Sequence, residues 1–201
     1  MVILTEYTLA TELRRWFYKS IIIDDIEFES HHTLLASSLN LFLTDYNRYF
    51  PGETEIQLDK VLGRTELQGI LLYRLARNYF VSNNINAADK CSLLGRFLSG
   101  FEIYYSAEIG KALKINHGLG MVIGARTKIG DDALLHQGVT FGDKNGGRPV
   151  VGNNVTVYAG AKILGNVSIG NNVIIAANCV CFINVPENKT AVGIPARIIN
   201  K

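Results

Sequence analysis

The chain has 201 residues, 48% of them apolar, with 20 Lys+Arg against 18 Asp+Glu for a net charge of +2. That excludes intrinsic disorder, leaves room for one large domain or two small ones, and provides no field to attract nucleic acid. No apolar run approaches the roughly eighteen residues a membrane helix requires, so no membrane span is expected. The opening Met1-Val2-Ile3-Leu4-Thr5-Glu6 lacks a basic region and a cleavage site, and the three cysteines are sparse. A reduced, cytoplasmic protein is the expectation.

Residues 1–100 carry helical periodicity. Leu9, Leu13, Trp16 and Phe17 share one face of the first helix. His31 to Phe50 forms a second amphipathic run with Leu34, Leu35, Leu39, Phe42 and Leu43, and Pro51-Gly52 ends it. Leu67 to Phe80, with Leu67, Ile70, Leu71, Leu75 and Tyr79, predicts a third helix, and Ala87 to Leu98 a last one.

From Ile103 the period becomes six. Ile103, Ile109 and Ile115, then Ile123, Ile129, Leu135 and Phe141, then Val151, Val157, Ile163, Ile169, Ile175 and Cys181 form one register. A second register holds Ala107, Leu113, Leu119, Ala133, Val139, Val155, Ala161, Val167, Val173 and Cys179. A helix cannot keep a six-residue phase; short strands separated by turns can, and this is the pattern of a parallel β-solenoid. Fifteen of the 19 glycines lie from Gly100 onward, and Asn153-Asn154 and Asn171-Asn172 suit corners that require positive φ. Cys179 and Cys181 fall on inward phases, where a free cysteine packs as a small apolar residue, so no metal is expected.

Two insertions interrupt the phase: one containing Asn116-His117-Gly118, the other an extruded loop from Gly142 to Pro149. A solenoid tolerates insertions only where they leave the stack, which makes both candidate functional segments.

Ile115-Asn116-His117-Gly118, Gln137-Gly138-Val139-Thr140-Phe141-Gly142 and Gly146-Gly147-Arg148-Pro149 resemble motifs of the serine acetyltransferases, within the hexapeptide-repeat acyltransferases. Ala159-Gly160-Ala161-Lys162-Ile163-Leu164-Gly165-Asn166 and Val192-Gly193-Ile194-Pro195-Ala196-Arg197-Ile198 extend the resemblance, which runs from about Tyr73-Arg74 to Ile199. It implies an α-helical cap and oligomerisation domain over 1–100, a left-handed parallel β-helix over 101–201, and acetyl-CoA as donor. It also implies a homotrimer or a dimer of trimers. His117 takes the position of the general base and Glu102 that of its orienting carboxylate. A hydroxyl attacking a thioester must lose its proton, and a neutral imidazole is suited to take it. By the same resemblance Gly142, Ala159, Gly160, Ala177, Thr190 and Arg197 line the donor groove, although tight solenoid turns explain the same small residues.

The acceptor side departs from the family pattern. Asn116 stands where the family has Asp, Arg148 lacks the histidine that follows it, and Glu53 is the one acidic candidate in the cap. Asn116 and Arg148 are the acceptor-binding candidates. Two acceptors stay open, the hydroxyl of L-serine and a hydroxyl of a sugar or polysaccharide precursor; a non-catalytic trimeric scaffold and N-acylation of an amine are the other classes. His136 is expected to be structural or peripheral, and His31 and His32 solvated or interfacial. Only Ile199-Asn200-Lys201 follow Ile198, so the apolar tail that docks family members onto a sulfhydrylase is missing and no cysteine synthase complex is expected.

Overall fold

The six-residue period is realised as strands of two to four residues, and three of them complete one turn of a solenoid. The computed structural model describes residues 3–19 and 31–200; the side chain of Phe17 and residue Lys201 lie outside the described part. Two compact units result, Met1–Ser99 and Gly100–Lys201.

In the helical unit, α1 (Glu6–Lys19) buries Leu9 and Leu13, while Trp16 stays half-buried. In α2 (His32–Tyr46), Leu35, Leu39 and Phe42 are buried as their spacing requires, whereas Leu34 and Leu43 lie at the margin of that face. A short α3 (Leu58–Leu62) precedes α4 (Thr65–Val81), which is the core of the unit, and α5 (Ile85–Ser99) packs on α4. Leu67, Ile70, Leu71, Leu75 and Tyr79 are all buried. The one-turn α3 has too few residues to show a period, so the sequence reading passed over it.

His31 and His32 are not simply solvated. His31 Nδ1 lies 3.0 Å from the Tyr79 hydroxyl, and the His32 ring packs 4.5 Å from that of Tyr7. Glu53 is also engaged: it accepts hydrogen bonds from Lys60 and from the Tyr46 hydroxyl. The Lys60 bond, then the Tyr46 bond, hold its carboxyl below the usual range. Burial, then donation to Glu53, push the Tyr46 hydroxyl up to about 12.

The first sheet of the solenoid stacks β1 (Glu102–Ile103), β4 (Val122–Ile123), β7 (Thr140–Gly142), β10 (Lys162–Leu164) and β13 (Val180–Cys181). The second stacks β2 (Glu108–Ile109), β5 (Lys128–Ile129), β8 (Val150–Val151) and β11 (Ser168–Ile169). The third runs β3 (Lys114–Asn116), β6 (Leu134–His136), β9 (Thr156–Val157), β12 (Ile174–Ile175) and β14 (Lys189–Val192). All these pairings are parallel; β15 (Arg197–Asn200) then closes the third sheet antiparallel to β14.

Every residue of the first inward register is buried. The second register is inward with one exception. Leu119, expected inside, is 66% exposed, and Met121 is fully buried in its place. Thr127 fills a further inward place, its hydroxyl buried and without a hydrogen-bond partner.

The corners between the second and third sheets explain the Asn pairs. Asp131 Oδ1 accepts from the Lys111 N–H at 2.9 Å, Asn153 Oδ1 from Asp131 N–H at 2.8 Å, and Asn171 Oδ1 from Asn153 N–H at 2.8 Å. Beside that column Asn154, Asn172 and Asn188, with φ of +52°, +58° and +60°, form an amide ladder. A Cβ at Gly130 would sit 2.2 Å from Asn153 Oδ1, so the column requires glycine there.

Candidate active site

The corner between the third and first sheets carries the base candidate. Its backbone bonds set the alignment: Gly138 N–H donates to Leu119 O, Gly160 N–H to Gln137 O, and Asn178 N–H to Ala159 O, each at 2.9 Å. Leu119, Gln137, Ala159 and Ala177 therefore form one column. Gly100, Gly120, Gly138, Gly160 and Asn178 form the next, all at positive φ. Asn116 pairs with His136 at the end of the strands, yet His136 is followed directly by Gln137. The two extra residues are His117 and Gly118. This is why Leu119 moves outward and Met121 takes the inward place.

His117 is exposed and has a φ of +66°. A left-handed conformation in a non-glycine residue costs about 1–2 kcal/mol and is retained where the surroundings impose it. The surroundings here are tight. A Cβ on Gly118 (φ +60°) would lie 2.6 Å from Cδ1 of the Phe101 ring and 3.1 Å from Cγ2 of Ile115. The Gly120 N–H donates to Gly100 O and the Glu102 N–H to Met121 O, each at 2.9 Å. The bulge is thus sewn to the start of β1, where the half-buried Glu102 stands. The structure brings the His117 and Glu102 segments together. We expect Gly118→Ala to lower stability by about 1–3 kcal/mol, through strain and displacement of Phe101. Denaturant titration checks this, and an unchanged midpoint would mean that the bulge is soft.

His136 belongs to the same corner, where its packing is consistent with the structural role, one of the two expected of it. Its ring stacks on Tyr158 with centroids 5.0 Å apart and planes at 28°. Burial, then the charge of His117, hold its imidazole below the ordinary 6.5. The unfolded chain then binds the His136 proton more readily than the folded one does. The stability this group contributes is present above about pH 6.5 and is lost as pH falls towards the lower folded value. Thermal unfolding between pH 7.5 and 5.5 should therefore show a destabilisation that is smaller in His136→Gln.

Ala159, Gly160 and Ala177 line the same corner below His117. Gln137 separates Leu119 from Ala159 in that column, and Ala159 and Ala177 stand on adjacent coils about 4.8 Å apart, so the small side chains cover two neighbouring coils. Thr190 is half-buried on β14, and Arg197 is exposed on β15, both on the third sheet. Gly142 ends β7, at the corner between the first and second sheets.

Arg148 is at that second corner as well, in the insertion between β7 and β8. Residues 143–146 are exposed, and contacts on either side of them strap the loop to the stack. A Cβ at Gly147 would sit 2.4 Å from the Asn166 nitrogen, and Lys144 Nζ lies 4.2 Å over the Phe182 ring. Arg148 Nε donates to Ala125 O at 2.8 Å, and its Nη1 to Gly147 O at 3.1 Å and to the Asp143 carboxylate. Sequence reasoning missed Asp143, whose one signal was its place immediately after Gly142. One chain does not bring Arg148 to His117; they occupy different corners.

Cys179 and Cys181 are buried and free. Burial, then the charge of Cys181, push the Cys179 thiol up to about 11, and burial raises Cys181. Both therefore pack as neutral thiols in the ladder.

Residues 148–182 match the family described as Bacterial transferase hexapeptide (six repeats). The serine acetyltransferase of Helicobacter pylori is 42% identical over 139 residues, covering 67% of this chain and 81% of that protein. The chain belongs to the serine acetyltransferase family and is accordingly an O-acetyltransferase. The crystal structure of the Neisseria gonorrhoeae serine acetyltransferase is similar at TM-score 0.77 and 28% identity, over 87% of this chain and 70% of that one. The Brucella abortus serine acetyltransferase in complex with Coenzyme A is similar at TM-score 0.76 and 26% identity, over 89% and 77%. No helix among the described residues is long and apolar enough to cross a membrane.

Proposed function

We propose that this chain transfers the acetyl group of acetyl-CoA to the hydroxyl of L-serine, giving O-acetyl-L-serine and CoA, with His117 as general base. The observation that carries this reading is the His117-Gly118 bulge. It is a two-residue excess in the corner column, it holds an exposed imidazole at positive φ, and Gly120, Gly138 and Gly160 line the neighbouring column. Neutral His117 accepts the serine hydroxyl proton as that oxygen attacks the thioester carbonyl. The resulting imidazolium returns the proton to the departing sulfur, so acid and base roles balance within one group. Glu102 is the carboxylate that orients the ring and stabilises its charged form.

The small side chains of Ala159, Gly160 and Ala177 fit an extended pantetheine arm. Gly142, Thr190 and Arg197 are the further donor contacts, and acetyl-CoA supplies the activated acyl group. Asn116 and Arg148 hold the acceptor. Because Arg148 and His117 stand on different corners, a complete site needs the loop of a second copy, which supports a trimer whose sites lie between neighbours. The helical unit would serve as cap and oligomerisation domain, in a cytoplasmic enzyme.

A second reading has its own observation. Arg148 is paired with Asp143 and Glu53 with Lys60 and Tyr46, so both charges expected to hold a zwitterion are engaged within their own units. That favours a neutral hydroxyl, as on a sugar. Thiol release from acetyl-CoA with serine, homoserine and sugar alcohols decides between them: turnover with serine alone supports the first reading, and turnover with a sugar alone overturns it.

A further inference from the structure

We propose that Asp143 is a specificity-determining residue: it competes with the acceptor's carboxylate for Arg148. The inference rests on the reading of Arg148 as the acceptor's carboxylate partner.

The argument is a count of guanidinium donors. Arginine presents five N–H groups in a rigid fork, and a bidentate carboxylate takes two from adjacent nitrogens. Here Nε is spent on Ala125 O, and both Nη1 hydrogens are spent, on Asp143 and on Gly147 O. Nη2 has no partner among the described residues. Each of the two bidentate faces contains Nη2 together with a nitrogen already engaged. An incoming carboxylate therefore receives one hydrogen bond, or it must displace an occupant.

Asp143 is the occupant that can leave. The Ala125 carbonyl belongs to a solenoid corner and cannot swing away, whereas the Asp143 side chain is 45% exposed at the loop surface. It is nonetheless preset in position, because its Oδ1 accepts the Gly146 N–H at 3.1 Å. A resident carboxylate held by its own loop turn lowers the affinity for any anionic acceptor and leaves neutral acceptors unaffected. Discrimination between the two classes is thus set by the strength of the Asp143–Arg148 pair.

The test compares kcat/KM for L-serine with that for L-serinamide, which keeps the hydroxyl and amine and lacks the carboxylate. Asp143→Asn should raise the serine-to-serinamide ratio about fivefold, the upper end for a partly exposed ion pair. Asp143→Glu, which restores the charge, should return the ratio towards that of the unaltered protein. In an Arg148→Gln background Asp143→Asn should leave the ratio where it is. A ratio that is unchanged or lowered by Asp143→Asn in the otherwise unaltered protein overturns the inference while serine acetylation stands. Failure of the unaltered protein to use either amino compound overturns the functional reading, and this inference with it.

Discussion

His117→Ala lowers kcat by about 10²–10⁴-fold, the range for losing a general base, with the KM for acetyl-CoA nearly unchanged. The effect falls on kcat because the imidazole acts on the acceptor's proton and the proposed donor groove is built from other residues. Glu102→Gln costs less, about 10–100-fold, since it acts through the ring it orients. Steady-state thiol release at varied acceptor and donor concentrations measures both. If His117→Ala turns over normally while His136→Ala does not, the base is the half-buried histidine stacked on Tyr158. The competition between the two is physical, since the charge of His117 is among the causes that lower His136.

The parallel solenoid was legible because a six-residue phase has one architectural solution, and the first inward register from Ile103 to Cys181 is buried throughout. Where the phase slipped, the sequence located the insertion but not its boundaries. Leu119 and Met121 are both apolar at alternate positions, so hydropathy cannot say which of them faces inward. The backbone bond from Gly138 to Leu119 does. The strapping of the Gly142–Pro149 loop was out of reach for another reason. It depends on a side chain meeting a backbone carbonyl, Arg148 to Ala125, and carbonyls leave no trace in sequence. For His136 the inward phase of its neighbour Leu135 leaves a structural and a peripheral place equally open. That alternation fixes which way a side chain points and says nothing of what stacks on it.

The helical unit held a larger surprise. Arg74 stands at the start of the stretch that resembles the family, and helical periodicity treats a charged residue as a mark of the solvent face. Yet Arg74 and Asp45 are 1% and 0% exposed, with Nε to Oδ2 at 2.8 Å and Nη2 to Oδ1 at 2.9 Å. The guanidinium also lies 5.4 Å over the Tyr73 ring. A bidentate pair between α2 and α4 is worth little net, because desolvating two ions offsets most of their attraction. Removing one partner is another matter, because the other charge stays buried with its bidentate partner gone. Arg74→Met should therefore destabilise the helical unit by about 3–5 kcal/mol. Trp16 is the chain's single tryptophan and stands on α1, so its emission during denaturant unfolding reports on this unit. Arg74→Met combined with Asp45→Leu should recover most of the loss, since neither side chain then carries a charge to desolvate. Should the single substitution cost less than about 1 kcal/mol, the pair would behave as a surface ion pair and water must reach Asp45. A double variant no more stable than the single one would instead assign the cost to lost packing of the long arginine stem between the helices.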